Sequence, residues 1–261
     1  MGRLTEPAAE GLLTYGEYLA VPELVSLQRL RSDPPVHDEL LFIVVHQAYE
    51  LWFKQLIFEL ESVRDRMIDG DAERARHYLT RVHAIERVLI EHIRVLETMT
   101  PQDFLEFRSL LTPASGFQSA QFREVEFVSG LRDRRYLREL SATPDELARL
   151  ARRLEEPTVW DGFVALLESA GLPMPEDDED ARTESLLAMA RDPAHAGRFA
   201  VAEGLLDHDE AFAQWRYHHV LMVEREIGAK TGTGGSAGVE YLRSTLHKRF
   251  FPDLWGLRSH L

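Results

Sequence analysis

Residues 38–67 have the sequence DELLFIVVHQAYELWFKQLIFELESVRDRM, and this segment decides the fold. A series of positions at steps of three or four residues is mostly apolar within it. The series consists of Leu41, Val44, Val45, Ala48, Leu51, Gln55, Phe58 and Ser62. Such spacing places these positions along one face of an α-helix. Pro34 and Pro35 precede the segment and Gly70 follows it. We therefore predict one long helix between these helix-breaking residues.

The same periodicity continues in other parts of the chain. Residues 72–99 carry a second apolar stripe, formed by Ala75, Leu79, Val82, Ile85, Leu89 and Ile93. A third long helical segment is predicted from about residue 199 to residue 227, and it ends at Gly228, a common helix stop.

Helix starts are also visible, whereas strand signals are nearly missing. Thr100–Asp103 and Thr143–Glu146 each combine a capping threonine, a proline and an acidic residue, which is typical of a helix N-terminus. Residues 173–180 are rich in proline and acidic side chains and are predicted to form a loop. We therefore predict an all-α helical bundle without significant sheet, formed as a single domain by residues 1–261.

Composition excludes several functional classes. The 261 residues include 44% hydrophobic side chains and no cysteine, which removes disulfides, iron–sulfur clusters and cysteine-ligated metals. The formal net charge of −14 argues against binding to nucleic acid or anionic membranes. The longest apolar run, Leu40–Val45, is too short to span a membrane, and residues 1–10 do not resemble a secretory signal. We therefore expect a cytoplasmic enzyme or binding protein.

Histidine is the natural candidate for metal binding or proton transfer in this chain. Seven histidines lie in polar surroundings and are expected to be exposed or hydrogen-bonded, namely His77, His83, His92, His195, His208, His247 and His260. His46 differs, because it shares one helix face with Phe42, Tyr49 and Phe53. It is either a core residue with a hydrogen-bond partner or a group directed into a pocket.

His219 lies on a similar apolar face. On a helix it would share one face with Phe212, Trp215 and Glu226, and with either Met222 or Val223. A neutral imidazole nitrogen in an apolar wall suits a haem iron, although a buried structural histidine would give the same pattern. His218 points about 100° away from His219 and belongs to another face.

Two loops and one arginine complete the candidates. Residues 232–238 are rich in glycine and nominally match a dinucleotide-binding pattern, but a helix precedes them where that pattern requires a strand. This segment is either a plain flexible loop or a lid. Arg108 lies between the apolar Phe104 and Leu111, just before a loop of small residues at 112–119. A partly buried arginine needs an anion, which a substrate carboxylate could supply.

Taken together, the motifs of this chain resemble a known family. The matching segments are Tyr15–Leu19, His37–Glu39, His46–Gln47, Glu50–Trp52, Phe107–Arg108, Pro113–Ser119, Trp215–His219, Gly232–Ser236 and Phe250–Leu254. Each is modest alone, but together they cover nearly the whole chain in one order. They resemble tryptophan 2,3-dioxygenase, a haem enzyme that opens the indole ring. The resemblance implies the all-α fold shared by tryptophan 2,3-dioxygenases and indoleamine dioxygenases.

The resemblance also implies roles for individual residues. His219 is expected to bind the iron of haem b, and His46 to act in catalysis by hydrogen-bonding the indole N–H. Arg108 is expected to bind the substrate carboxylate and Thr233 its ammonium group. Further residues are expected around the substrate or the haem: Phe42, Phe104 and Leu111 as walls of the substrate pocket, and Ser115 and Gly116 at the haem edge.

A neighbouring subunit is expected to complete each site. In the family, the counterparts of Tyr15, Tyr18 and Leu19 come from the partner chain. This implies a homotetramer, arranged as a dimer of dimers, in which roughly residues 1–30 extend into an adjacent subunit.

The implied reaction inserts both atoms of O2 across the indole C2–C3 bond of L-tryptophan and gives N-formyl-L-kynurenine. One alternative is a family member that inserts a single oxygen atom into a substituted tryptophan, such as a β-methyl derivative, and gives a 2-oxindole in biosynthesis. Another is a haem-binding sensor without turnover, which would not need the substrate contacts of Arg108 and Thr233.

The sequence departs from the family pattern at a few positions. Phe104 stands where some bacterial relatives carry tyrosine, and Ala120 and Ala237 replace residues expected to be larger or hydroxylic. The segment 191–206 is shorter than expected, and we predict that it forms a peripheral helical connection. These departures leave open which tryptophan derivative the site prefers.

Overall fold

The computed structural model describes residues 12–234 and 238–261, and within these ranges it contains helices and no strand. The α-helices of this part of the chain are α1 (Tyr15–Tyr18), α2 (Val21–Leu24), α3 (His37–Ile68), α4 (Ala72–Leu96), α5 (Pro101–Arg108), α6 (Ala120–Ser129), α7 (Tyr136–Glu139), α8 (Pro144–Glu155), α9 (Val159–Glu168), α10 (Glu179–Arg191), α11 (Ala196–Ile227), α12 (Val239–Arg243) and α13 (Pro252–Leu257). Short 3₁₀ turns occur at Ser109–Leu111, Gly116–Gln118 and Pro193–His195. The predicted all-α class is confirmed.

The three longest helices form the centre of the bundle. A three-residue turn joins α3 to α4, and Gly70 adopts a φ of 78° there, which glycine tolerates without strain. The helix α11 packs along α4, while α6 and α9 pack on α3. The apolar stripe predicted for α4 faces this core. The stripe predicted for α3 was wrong, because Val44, Leu51 and Phe58 are 45%, 55% and 61% exposed. The core face of α3 lies beside that stripe, and the buried residues that meet in the core include Leu56, Leu60, Val63, Leu79, Val82 and Leu205.

The predicted helix starts are confirmed in detail. The hydroxyl of Thr100 accepts a hydrogen bond from the amide of Asp103, whose carboxylate in turn accepts one from the amide of Thr100. Thr143 and Glu146 make the same reciprocal contacts at the start of α8. Each pair satisfies amides that the first helical turn would leave without partners.

Two predictions for the chain between residues 173 and 206 were wrong. The acidic loop ends earlier than residue 180, because Asp178 caps α10 by accepting a hydrogen bond from the amide of Ala181. The segment 191–206 is not a peripheral connection, since most of it forms the first turns of α11, with Val201 and Leu205 fully buried. Gly204 explains the close packing, because a Cβ there would lie 2.9 Å from Leu79 Cδ1 on α4.

Buried polar groups fix α11 in place. His208 has no exposed surface, and its Nδ1 lies 2.5 Å from a carboxylate oxygen of Glu86 on α4. The Nε2 atom of His208 lies 2.9 Å from the hydroxyl of Ser129 on α6. Burial raises the pKa of Glu86, and the neighbouring His208 opposes that rise. His208 is thus hydrogen-bonded, as predicted, and links three helices.

The chain N-terminal to α3 is held to that helix at Glu39 and at Gln47 and is mostly exposed elsewhere. The side-chain amide of Gln47 accepts a hydrogen bond from Gln28 and donates one to the carbonyl oxygen of Leu27. The buried carboxylate of Glu39 accepts hydrogen bonds from the amides of Arg31 and Ser32 and from the Ser32 hydroxyl. Beyond these contacts, Tyr15 and Tyr18 on α1 are 77% and 74% exposed. Two large aromatic side chains on one short helix therefore lack partners within the described residues.

Among the described residues, no helix is both long enough and apolar enough to cross a bilayer.

The helices α3 and α9 approach each other closely at Gly162. A Cβ at Gly162 would lie 2.9 Å from the backbone oxygen of Arg64, closer than real contacts allow. We expect Gly162→Ala to lower the free energy of unfolding by about 1–3 kcal/mol, because backbone must move to accept the methyl group. Thermal and chemical unfolding of the holoprotein would measure the change.

The matched control is Gly197→Ala near the start of α11, where nothing lies within 4 Å of the added Cβ. This variant is expected to be neutral or to gain up to about 1 kcal/mol, because alanine loses less backbone entropy on folding than glycine. Equal loss of stability in both variants would contradict the assigned α3–α9 contact.

Candidate functional site

A cavity of about 270 Å³ lies between α3, α5 and α11, and the loops after α5 and α11 contribute to its walls. Most of its lining is apolar, and aromatic rings from α3, α5 and α6 predominate. Its polar members include both singled-out histidines, His46 and His219, together with Arg108 and Thr233. Four side chains chosen from separate parts of the sequence therefore reach one cavity.

His219 enters the cavity from α11. Its ring stacks on Trp215 with a centroid separation of 5.0 Å and an interplanar angle of 8°. Burial and, to a smaller extent, the proximity of His46 lower the pKa of His219 to about 4. Neither ring nitrogen has a hydrogen-bond partner among the described residues. His219 thus offers a neutral imidazole nitrogen to the cavity, the form that binds metal ions.

His46 enters from α3, and its protonation is defined by one contact. Its Nδ1 atom lies 2.7 Å from the carbonyl oxygen of Phe42. Since a carbonyl can only accept, Nδ1 carries the hydrogen and Nε2 keeps a lone pair. Burial lowers the pKa of His46, so the neutral form is favoured. The free Nε2 atom can therefore accept a hydrogen bond from a ligand N–H group.

Arg108 and Thr233 lie where the two loops meet. The guanidinium group of Arg108, the last residue of α5, donates a hydrogen bond to the carbonyl oxygen of Thr231. The hydroxyl of Thr233 donates to the carbonyl oxygen of Ala114 at 2.7 Å. No carboxylate of the described residues pairs with Arg108. Its charge is therefore available to an anion that enters the cavity.

The glycine-rich loop packs tightly on the loop after α5. A Cβ at Gly234 would lie only 2.6 Å from the hydroxyl oxygen of Ser115. Gly238 has a φ of 62°, and a Cβ there would lie 2.6 Å from the carbonyl oxygen of Lys230. Glycine is thus required at both positions for this loop to lie across the cavity.

A basic group of residues at one end of the cavity was missed by sequence reasoning. Arg123 on α6 and Arg216 on α11 share the single carboxylate of Glu126, at 2.7 Å and 3.0 Å. The Nε atoms of both arginines are buried and have no hydrogen-bond partner. Buried guanidinium N–H groups without a partner need an acceptor, which favours a ligand that carries an anionic group at this end of the cavity. Charged residues inside the otherwise apolar α6 were the available signal.

The other predicted site residues fall into two groups. Phe42, Phe104, Ser115 and Gly116 line the cavity. Leu111 does not, because the chain turns into a 3₁₀ helix after Arg108 and the Leu111 side chain packs on the core around Phe104 and Phe107. The remaining three, Tyr15, Tyr18 and Leu19, lie outside the cavity of their own chain.

Comparison with known proteins gives a consistent result. The family model described as tryptophan 2,3-dioxygenase matches residues 4–175 and 185–261. A protein of Nocardioides sp. named tryptophan 2,3-dioxygenase is 57% identical over 256 residues, which cover 95% of each chain. Proteins with the same name from Herpetosiphon aurantiacus and Anaeromyxobacter sp. are each 45% identical, over 95% and 99% of this chain and 98% and 100% of their own.

Proposed function

Since the chain belongs to the tryptophan 2,3-dioxygenase family, we propose that its cavity inserts both atoms of O2 across the indole C2–C3 bond of L-tryptophan to give N-formyl-L-kynurenine. One observation carries this proposal. Two neutral histidines, His46 and His219, enter a single apolar cavity that also contains the unpaired positive charge of Arg108.

The residues present fit haem b. His219 would hold the iron, because it supplies a neutral nitrogen without a competing hydrogen bond. Arg123 and Arg216 have unpaired N–H groups, which suit the two carboxylates of the haem. Ser115 and Gly116 are proposed at the haem edge. When bound, ferrous haem supplies the binding and activation of O2.

The polar groups of the cavity also fit an amino acid substrate. The carboxylate of L-tryptophan would meet the N–H groups of Arg108 that the Thr231 carbonyl leaves free and gain a charge-assisted contact. We assign Thr233 to the ammonium group and the aromatic Phe42 and Phe104 to the ring. The Nε2 atom of His46 would accept a hydrogen bond from the indole N–H group and so orient the reacting C2–C3 bond.

This arrangement assigns positioning, rather than strong acid–base chemistry, to the protein. A neutral His46 can accept a hydrogen bond without removing the proton, because its lowered pKa disfavours the imidazolium form. The loop that carries Thr231 and Thr233 contacts Arg108 and the Ala114 carbonyl at the cavity wall, where it would help to exclude water from the bound ring. No observation favours insertion of a single oxygen atom into a β-methyl tryptophan.

We further propose a cytoplasmic homotetramer, arranged as a dimer of dimers and built from one domain per chain. Exposed Tyr15 and Tyr18 support this, because large aromatic side chains are costly to leave in water. With Leu19, they would complete the substrate pocket of a neighbouring subunit. Of the proposed N-terminal arm, roughly residues 1–30, the first eleven lie outside the described residues.

The function is tested by the mass of the product. Reduced, haem-loaded protein would be given L-tryptophan under isotopically labelled O2. We expect a ring-opened product that carries two labelled oxygen atoms, because both atoms add across one carbon–carbon bond. An intact oxindole with one labelled atom would instead identify a monooxygenase, and the absence of any product from L-tryptophan would refute the proposal.

The haem ligand is tested by two adjacent substitutions. His219→Ala removes the nitrogen proposed to bind iron, and we expect purified protein to retain little haem by its Soret absorbance relative to protein. His218→Ala is the matched control, since His218 lies on another face of α11, in a separate surface pocket. Equal haem retention in the two variants would contradict the assignment of His219.

The role of Arg108 is tested with a pair of ligands. Arg108→Ala is expected to lower kcat/KM for L-tryptophan about 100-fold, because a charge-assisted pair with the carboxylate is lost. For tryptamine, which has no carboxylate, the same substitution should change kcat/KM much less. Arg94→Ala, at an exposed position on α4, serves as the control. Equal losses with both ligands would show that Arg108 acts on something other than the carboxylate.

A further inference from the structure

One buried acid in the cavity has no part in the proposed reaction. Glu226 lies on α11 two helical turns after His219, on the same face, and its side chain lines the same cavity. Only 7% of its surface is exposed. A carboxyl group in this position is unusual, because burial of an acidic side chain is costly unless the group is paired.

Glu226 has no such partner. It makes no hydrogen bond or ion pair with the described residues, and its Oε2 atom is completely buried. Neighbouring wall residues are apolar, namely Leu96, Met99, Phe104 and Ile227. The nearby basic residue, Arg225, points instead to Glu97, at 3.8 Å. The carboxyl group is therefore unsatisfied inside the cavity and needs a polar group from a ligand.

The protonation of Glu226 determines what such a ligand would contact. Burial raises the pKa of this carboxyl group. Three nearby charges also act on that pKa: Arg225 on α11 lowers it, whereas Glu97 after α4 and Asp103 on α5 raise it. A raised pKa enlarges the share of the neutral acid at a given pH, and the ionised form can also accept a hydrogen bond from a hydroxyl group. A neutral carboxylic acid offers one O–H donor and an acceptor oxygen, which together match a hydroxyl group.

The position of Glu226 along the cavity indicates which part of the substrate it can reach. Ile227, the residue after Glu226, belongs to the same buried cluster as Phe104 of α5. The end of α11 therefore packs against α5 beside Phe104, which lines the cavity and is assigned to the indole ring. Arg108 lies four residues further along α5, a distance of about 6 Å. The carboxylate carbon of tryptophan is roughly 7 Å from the far edge of its indole ring by standard bond lengths. With the carboxylate at Arg108, the benzene ring would lie on the side of Glu226.

We propose that Glu226 is a specificity-determining residue that hydrogen-bonds a hydroxyl group on the benzene ring of the indole. The site would then bind ring-hydroxylated L-tryptophan more tightly than a derivative of the same size without the hydroxyl. The inference rests on the proposed function, because it requires that Arg108 holds the amino acid end. A methyl group at the same ring position would leave the carboxyl group unsatisfied.

The test compares ligands matched in size. The dissociation constants of 5-hydroxy-, 5-methyl-, 6-hydroxy- and 6-methyl-L-tryptophan would be measured from the Soret shift of the haem-loaded protein, without turnover. In the wild type we expect the hydroxyl derivative to bind about ten-fold more tightly than its methyl counterpart at one of the two ring positions. In Glu226→Leu this ratio should fall to about one, because the leucine side chain cannot hydrogen-bond.

Two further variants separate hydrogen bonding from charge and packing. Glu226→Gln keeps a donor and an acceptor and is expected to retain most of the preference. Glu97→Gln removes a charge that acts on Glu226 from outside the cavity lining, and it should preserve the preference. The leucine variant is expected to fold, because it removes an unpaired buried carboxyl group. Circular dichroism and haem content would check this.

The possible outcomes are distinguishable. A wild type that binds hydroxyl and methyl derivatives equally at both ring positions would overturn the inference, as would a Glu226→Leu variant that keeps the preference. Both results are independent of the product formed from L-tryptophan. If that product is absent while the hydroxyl preference depends on Glu226, the proposed reaction fails and the assigned binding contact stands.

Discussion

The position of α11 is the constraint on which the cavity depends, because this helix carries His219, Arg216 and Glu226. Buried polar contacts fix it. His208 joins it to α4 and α6, and the carboxylate of Asp209 accepts hydrogen bonds from two backbone amides before α13 and from the indole N–H of that helix. Such contacts have direction, unlike apolar packing, so they set both the rotation and the height of α11.

The interior holds both satisfied and unsatisfied polar atoms. The carboxylate of Glu126 has a guanidinium group at each oxygen. At the cavity, by contrast, the Nε atoms of Arg123 and Arg216 and a carboxyl oxygen of Glu226 have no partner. Folding alone gains nothing from such atoms, since each costs free energy when dry. Further unpaired atoms occur on residues outside the cavity lining, namely Glu86, His92, His195 and Asp209. The unpaired atoms at the cavity are the ones that a bound group could reach.

Much of this arrangement could be predicted from the sequence. The long helices follow from apolar spacing, and the starts of α5 and α8 follow from their capping residues, because both signals are local. Leu111 could not be placed, since the change from α-helix to 3₁₀ helix after Arg108 depends on loop packing. Arg123 was missed for a related reason: a charged residue on a helix is usually solvated, and only the tertiary structure shows that this one is buried.

The loop contacts at Arg108 imply that loop packing and substrate binding use the same guanidinium group. In this structure the guanidinium group is hydrogen-bonded to the Thr231 carbonyl, and the Thr233 hydroxyl to the Ala114 carbonyl. An entering carboxylate would find further donors there, because a guanidinium group has five N–H bonds and the Thr231 carbonyl takes one of them. The contact with the charged carboxylate is the stronger of the two. One arginine can therefore hold the loop and the substrate together, and the absence of Cβ atoms at Gly234 and Gly238 permits the close contacts of the loop with Ser115 and Lys230.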